Sequence, residues 1–329
     1  MKYQTLGKTD INVSAIVMGG WALGGGLDWG SQDEADSVAA VHAALDLGIN
    51  FFDTAEEYGA GRSEEVLGRA LAGRRQQAVI STKVSAVNLS TEGIPQACER
   101  SLKRLQTDTI DLYQVHWPAP GMPIDDVVAA LQKLQAQGKI RAVGVSNFGI
   151  LDLSDFLARG RCDTIQLPYN LAWRAIEYEV MPKCRAEGVG ILPYSPLMQG
   201  LLTGKYATAD DVPEGRARTR HFSKNRPHTR HGQPGSEAEL FEAIAQIRAI
   251  SQRLGHSMSD VSLAWVLHQP GVDSVIIGAR NPHQLQQNIK AVELDLSPEI
   301  VAELTRATEP LKQKLGPNPD LWQAESRFR

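Results

Sequence analysis

Eight short runs rich in β-branched residues punctuate this chain from end to end, and they constrain its fold more than any other feature. They occupy 14–18, 49–53, 78–83, 109–116, 141–146, 164–167, 190–194 and 274–277. Between them the apolar residues recur at helical spacing. Val38, Val41 and Leu45 share a face, with Ser31 and Glu34 spaced as a capping box ahead of them and Gly48 as the stop. Ile94, Cys98, Leu102 and Leu105 repeat the pattern, as do Val127, Leu131 and Leu134 before Gly138, and Leu285, Ile289 and Val292 after Asn281-Pro282. A doubly wound sheet would show fewer strands and a glycine-rich first turn, so the count favours a closed α/β barrel of the (β/α)8, or TIM, type.

Residues 1–329 read as one such barrel domain with additions. Residues 3–13, turning around Gly7-Lys8-Thr9-Asp10, read as a β-hairpin able to close the barrel floor, and 236–254 and 297–308 as two extra helices. Residues 207–235 show neither period and form a long loop. Within it Arg216, Arg218, Arg220, Lys224, Arg226 and Arg230 face a single acid, Glu214, in 214–231. Three readings stand: a solvated loop, a flap over cofactor phosphates, and a nucleic-acid patch, the last weakened because Phe222 is its only aromatic residue. The tail, 311–329, contains Gly316-Pro317-Asn318-Pro319, which cannot continue a helix, and Leu321, Trp322 and Phe328, which should fold back onto the protein.

Composition narrows the function classes. With 42% hydrophobic residues and a net charge of −4, the chain can build a large core and offers no general basic surface for nucleic acid or anionic lipid. It shows no apolar leader and no uninterrupted apolar run of about 18 residues, so neither a signal peptide nor a membrane span is expected. Cys98, Cys162 and Cys184 lack CxxC spacing. At least Cys98 and Cys184 read as reduced core thiols, pointing to the cytoplasm.

In a barrel of this type the site is built at the C-terminal ends of the strands. Those ends carry Asp53, Lys83, His116, Ser146-Asn147, Gln166 and Tyr194-Ser195, and Tyr58 follows Asp53 in DTAEEYG. A phenol needs a nearby cation to move its proton at neutral pH. Lys83 can be that cation, Asp53 can hold it charged, and His116 can orient a carbonyl oxygen. The set suits carbonyl reduction with Tyr58 as acid and a cofactor as hydride donor.

DTAEEYG at 53–59, STK at 81–83, DLYQVHWP at 111–118, VGVSNF at 143–148, IQLPYN at 165–170, PYSPLMQGLLTGKY at 193–206 and IIGARNPHQLQQN at 276–288 appear in order along nearly the whole chain. In these motifs the sequence resembles an aldo-keto reductase. The resemblance implies a catalytic tetrad of Asp53, Tyr58, Lys83 and His116 and NADPH/NADP+ as cofactor. It implies further that Ser146, Asn147 and Gln166 hold the nicotinamide carboxamide and that Tyr194 stacks on the ring. Ser195, Leu197, Gly200 and Lys205 would match the pyrophosphate turn, and Gly278, Arg280, Gln284, Gln287 and Asn288 the adenosine 2′-phosphate and adenine end. Gly20 and Trp21 would lie where the first barrel loop meets cofactor and substrate. Gln287 departs from the family pattern, in which an acid often precedes the asparagine. Trp21, Tyr58, His116, Trp117 and Trp322 are the substrate-pocket candidates, Trp117 reading equally as a wall or as ordinary packing. For the tail the resemblance favours the barrel mouth over the outer wall.

The implied activity is reduction of a small aldehyde or ketone by a monomer or weak homo-oligomer, without nucleic acid, membrane or metal. Two rivals remain: a nicotinamide-binding regulatory subunit similar to potassium-channel β subunits, and a Lys83 Schiff-base aldolase or lyase. Gly24-Gly25-Gly26 lacks the GxGxxG spacing, GLLTGKY at 200–206 fails as a phosphate loop, and His221, His228 and His231 lack carboxylate or cysteine at metal-binding spacing.

Overall fold

The computed structural model describes residues 1–25, 32–327 and 329. Strands β1 (Tyr3–Thr5) and β2 (Asn12–Ser14) pair as an antiparallel hairpin. Eight parallel strands follow: β3 (Ile16–Gly19), β4 (Phe51–Asp53), β5 (Val79–Val84), β6 (Ile110–Val115), β7 (Ile140–Ser146), β8 (Thr164–Pro168), β9 (Gly190–Tyr194) and β10 (Val275–Gly278). Each neighbours the next, and β10 pairs with β3. The ring closes beside β9, where Ile191 N donates to Gly271 O at 2.9 Å and Asp273 N donates to Ile191 O at 3.0 Å. The expected barrel is therefore present, each strand within two residues of its run.

The helices are α1 (Glu34–Asp46), α2 (Arg62–Ala70), α3 (Gly93–Leu105), α4 (Ile124–Ala136), α5 (Ile150–Leu157), α6 (Val180–Glu187), α7 (Glu237–Leu254), α8 (Met258–Leu267), α9 (Pro282–Glu293), α10 (Pro298–Ala307) and α11 (Glu309–Leu315). Their apolar faces and the outward faces of the strands make one large buried cluster holding all three cysteines. Burial pushes Cys98 and Cys184 up to about 12, so these thiols stay protonated. Three details differ from expectation. Ser31 and Gly26 lie outside the described residues, and the cap of α1 is Asp33, whose carboxylate accepts from Ala35 N at 2.7 Å. Residues 311–315 belong to α11, because Pro310 starts a new turn of helix after Thr308. Strand β9 leads into a 3-10 turn (Met198–Thr203) and the long loop rather than directly into a helix.

Inside the barrel the side chains stack in layers. Val17, Phe51, Val79, Leu112, Ala142, Leu192 and Ile276 fill the lower layer, sealed from below by Leu6, Ile11 and Val13 of the hairpin. Two residues further along each strand, on the same inward face, stand Gly19, Asp53, Ser81, Gln114, Gly144, Tyr194 and Gly278. The barrel thus turns from apolar to polar within one layer.

The loop and tail are packed together. Arg220 is buried, donating to Asn318 O (2.9 Å), Asp320 O (3.2 Å) and Leu315 O (2.9 Å). His221 is buried between Thr219 Oγ1 at 3.0 Å and Ala172 O at 2.8 Å, and His231 Nε2 lies 3.1 Å from Thr219 O. Residues 219–222 are therefore not a solvated loop, since they are buried with Arg220 spent on the tail, while Arg216, Lys224 and Arg230 remain exposed. The tail ends with Arg329 O accepting from Leu151 N at 2.9 Å and the Arg329 guanidinium on Asp152 and Asp155. Phe328 lies outside the described residues.

Candidate active site

Strand ends place a buried ion pair at the centre of the mouth. Lys83 Nζ donates to Asp53 Oδ2 and to Thr54 O, both at 2.7 Å, and the lysine side chain is fully buried. Asp53 Oδ1 accepts from Ser81 Oγ at 3.0 Å and Gln166 Nε2 at 3.0 Å, with Gln114 Nε2 at 3.4 Å. A charge removed from water needs such a full set of partners to persist. Gly144 makes room for it: a Cβ there would stand 2.9 Å from Gln114 Cγ. Burial presses the Lys83 ammonium below its ordinary range, and Asp53 pulls it back.

Tyr58 sits above this pair on the turn after β4. Its hydroxyl lies 3.5 Å from Lys83 Nζ, and the ammonium stands 5.0 Å from the ring centre. Burial, reinforced by Asp53 and Glu57, raises the phenol well above its ordinary value. The resting group is therefore a neutral phenol, able to give a proton and unable to act as a ready base. Trp21 stacks on Tyr58 with ring centres 6.1 Å apart, and His116 meets Tyr58 edge-on at 5.6 Å. Trp117 continues the aromatic rim, 6.5 Å from the His116 ring. Burial lowers His116, and Glu57 opposes that shift with Oε2 only 3.0 Å from Nδ1.

Next to the tetrad, Asn147 adopts φ +60°. Its Nδ2 donates to His116 O at 3.1 Å and to Ser146 Oγ at 3.0 Å, and its Oδ1 accepts from Tyr194 OH at 2.8 Å. Gly20 N donates to Asp53 O at 2.6 Å, which fixes the first loop against β4. Asp53, Tyr58, Lys83, His116, Ser146, Asn147, Gln166, Tyr194, Gly20 and Trp21 thus form one connected group.

A second group is the shelf after β9. Ser195, Met198, Gln199 and Gly200 all have positive φ, which turns the backbone sharply, and Leu197 O accepts from Gly200 N at 2.9 Å. A Cβ on Gly200 would stand 2.9 Å from Lys205 Nζ and 3.2 Å from Arg216 Nη1. Two cations converging over a bare glycine make a cradle that suits an anion such as a pyrophosphate. The third group lies at the end of β10. Arg280 Nε donates to Gln32 Oε1 at 2.7 Å, and Arg280 N donates to Gln284 Oε1 at 2.8 Å. Gly278 is exposed, and Gln287 and Asn288 follow on α9. Three groups able to hold the two ends and the middle of a dinucleotide fit the expected cofactor.

Trp322 stacks on Arg218, 5.1 Å from the guanidinium carbon. Among the described residues of the tail, Arg327 lies 4.2 Å from the Trp117 ring centre and is paired with the buried Asp320. Sequence reasoning missed Arg327, Gln32 and Glu57. It also missed Ser81 and Gln114, although each lies two residues before a tetrad member on the same strand face.

A family model, the aldo/keto reductase family, matches residues 15–309. The chain belongs to the aldo/keto reductase family. Among similar proteins, aldo-keto reductase YhdN of Bacillus subtilis is 40% identical over 298 residues, 87% of each chain. The NADH-specific methylglyoxal reductase of Escherichia coli is 36% identical over 321 residues, covering 90% of this chain and 95% of that one. A putative voltage-gated potassium channel subunit beta of Schizosaccharomyces pombe is 33% identical over 92% of each chain. The crystal structure of an aldo-keto reductase from Klebsiella pneumoniae in complex with NADPH superposes with a TM-score of 0.74, at 30% identity, over 100% of this chain and 99% of the other. As an aldo/keto reductase the chain carries its family's oxidoreductase fold. Among the described residues no helix is long and apolar enough to cross a membrane.

Proposed function

We propose that this chain reduces a small aldehyde or ketone with NADPH, Tyr58 serving as the proton donor. The observation that carries the reading is the single connected group of Asp53, Lys83, Tyr58 and His116, with the phenol hydroxyl 3.5 Å from a buried ammonium. When bound, the cofactor supplies the hydride. Tyr58, neutral at rest, gives its proton to the carbonyl oxygen as negative charge gathers there, and the Lys83 ammonium stabilises the phenolate left behind. Asp53 keeps Lys83 charged, while His116 and the aromatic rim of Trp21 and Trp117 orient the carbonyl. Ser146, Asn147 and Gln166 would hold the nicotinamide amide, Tyr194 its ring, and Ser195, Leu197, Gly200 and Lys205 the pyrophosphate. Arg216, already at the Gly200 cradle, supports the flap reading of 207–235.

Arg280, its side chain steadied by Gln32, favours NADPH over NADH, because a guanidinium can pair with a ribose 2′-phosphate. We place the enzyme in the cytoplasm, as one barrel domain acting as a monomer or weak oligomer; the unpaired core thiols support that compartment. The Schiff-base rival is disfavoured because Lys83 is committed to Asp53 and Thr54 O, which hold it as a cation without a lone pair. The channel-subunit rival shares the same site and is separated by turnover. A panel of aldehydes, ketones and sugars followed by NADPH and NADH absorbance should show steady reduction. Tyr58→Phe should lower it by about two to four orders of magnitude without loss of cofactor binding. A variant with near-normal turnover removes Tyr58 from the mechanism.

A further inference from the structure

The motif DTAEEYG contains two successive glutamates, and the structure splits their tasks. Glu56 anchors the loop after β5: its Oε1 accepts from Ser85 N at 2.7 Å and from Asn88 Nδ2 at 2.8 Å, and its Oε2 lies 3.3 Å from Arg100. Glu57 turns the other way. Ser85 Oγ donates to its Oε1, and its Oε2 stands 3.0 Å from His116 Nδ1. That nitrogen is buried and makes no hydrogen bond among the described residues, so the 3.0 Å approach of Glu57 is an ion-pair contact.

A proton count gives this contact a consequence. A neutral imidazole carries one N–H. If that proton sits on Nε2, the Nδ1 lone pair is left 3.0 Å from a carboxylate oxygen, which is repulsive; if it sits on Nδ1, Nε2 is bare and repels a carbonyl oxygen. Only the imidazolium relieves both repulsions. We propose that Glu57 is a positioning residue for carbonyl reduction: clamped by Ser85, it holds a proton on His116 Nδ1 so that His116 meets the substrate oxygen through a protonated Nε2. This rests on the reading of the site given above. No net transfer from His116 is needed, since the proton that ends on the alcohol comes from Tyr58.

The surroundings of His116 set the balance. Burial, helped by the Lys83 ammonium, holds His116 below its ordinary range, and Glu57 and, further off, Asp53 pull it back toward the charged form. Tyr58 meets the ring edge-on, Trp117 adjoins it, and Asn147 binds its backbone carbonyl without touching the ring nitrogens. Glu57 itself is held down to about 2, chiefly by His116, so it remains a carboxylate through the working pH range. Its side chain is 47% exposed, so the carboxylate itself stays in contact with water.

The test is the pH profile of kcat/KM for reduction by the intact enzyme, for the parent protein, Glu57→Gln, Ser85→Ala and Tyr58→Phe. The parent should lose activity as pH rises and His116 deprotonates. In Glu57→Gln that limb should move to lower pH by about one unit or more, with about a tenfold loss at neutral pH and unchanged NADPH affinity. Ser85→Ala keeps the charge but frees the carboxylate, and should move the limb the same way by less. Nitrogen NMR of the His116 ring, assigned by its loss in His116→Gln, should show the same shift without substrate. If Tyr58→Phe abolishes turnover while the limb and the NMR titration stay put in Glu57→Gln, the proposal falls and the site reading survives. If Tyr58→Phe keeps its activity, the site reading falls and takes the proposal with it.

Discussion

Phe51 and Asp53 lie two residues apart on one strand, face the same way, and do opposite work. Phe51 belongs to the lower barrel layer with Val17, Val79, Leu112, Ala142, Leu192 and Ile276, all packed without polar partners. Asp53 belongs to the layer above, where Ser81, Gln114, Gln166 and Lys83 surround a carboxylate. The lower layer gains stability by removing apolar surface from water. The upper layer gives up that gain to hold a fixed charge under Tyr58. On the proposed reading of the site, stability and chemistry are therefore separated by one step along the barrel axis, and variants on either side should fail differently.

The largest effect is expected in the upper layer. Lys83→Met should cut turnover by about two to four orders of magnitude, since the phenolate loses its cation. It should also cost about 3–5 kcal/mol of stability, because the buried Asp53 carboxylate is left unpaired. Turnover assays beside denaturant melts check both; a variant that is inactive but fully stable would show that water replaces the lysine. Phe51→Ala, one layer down, should cost about 3–5 kcal/mol through the cavity it leaves. The protein that remains folded should keep near-normal kcat/KM. A large drop in kcat/KM would mean that the two layers are coupled.

A smaller effect concerns the loop and tail above the mouth. His221 is held down to about 4, first by burial, and the ring is fully buried in neutral form. The unfolded chain takes up its proton near pH 6.5 and the folded one only near 4, so this contribution is complete above 6.5 and is lost progressively as the pH falls to 4. The loss amounts to roughly 3 kcal/mol. Equilibrium unfolding of the parent and His221→Gln across that range should show a weaker acid dependence in the variant. Identical slopes would place the acid-sensitive group elsewhere. The smallest effect is on the cofactor. Arg280→Ala should weaken NADPH by about 2 kcal/mol and leave NADH nearly unchanged; equal losses for both would make Arg280 structural.

Much of this molecule was legible in one dimension because barrel periodicity is local. Runs such as 190–194 and caps such as Asn281-Pro282 announce their elements within a few residues, and Asp53, Lys83 and His116 fall at or beside strand ends, where the architecture exposes polar groups. Ser81 and Gln114 are equally readable from the two-residue period of β5 and β6. Glu57 was visible in DTAEEYG, but its partner is 59 positions later, just past the end of β6, so its task could not be read from the motif. That Arg218 packs on Trp322 and Arg327 on Trp117 could not be read from the tail's own sequence.

By itself, then, the amino-acid order determined the eight-fold alternation, the polar residues at the strand ends and the reduced core thiols, because each follows from side-chain type at short spacing. Only the tertiary structure decided that Glu57 faces His116, that Gln32 steadies Arg280 and that Arg220 ties the tail to the long loop. Those contacts join segments far apart in the chain, and their partners are chosen by where the closed barrel carries each strand end rather than by any local propensity.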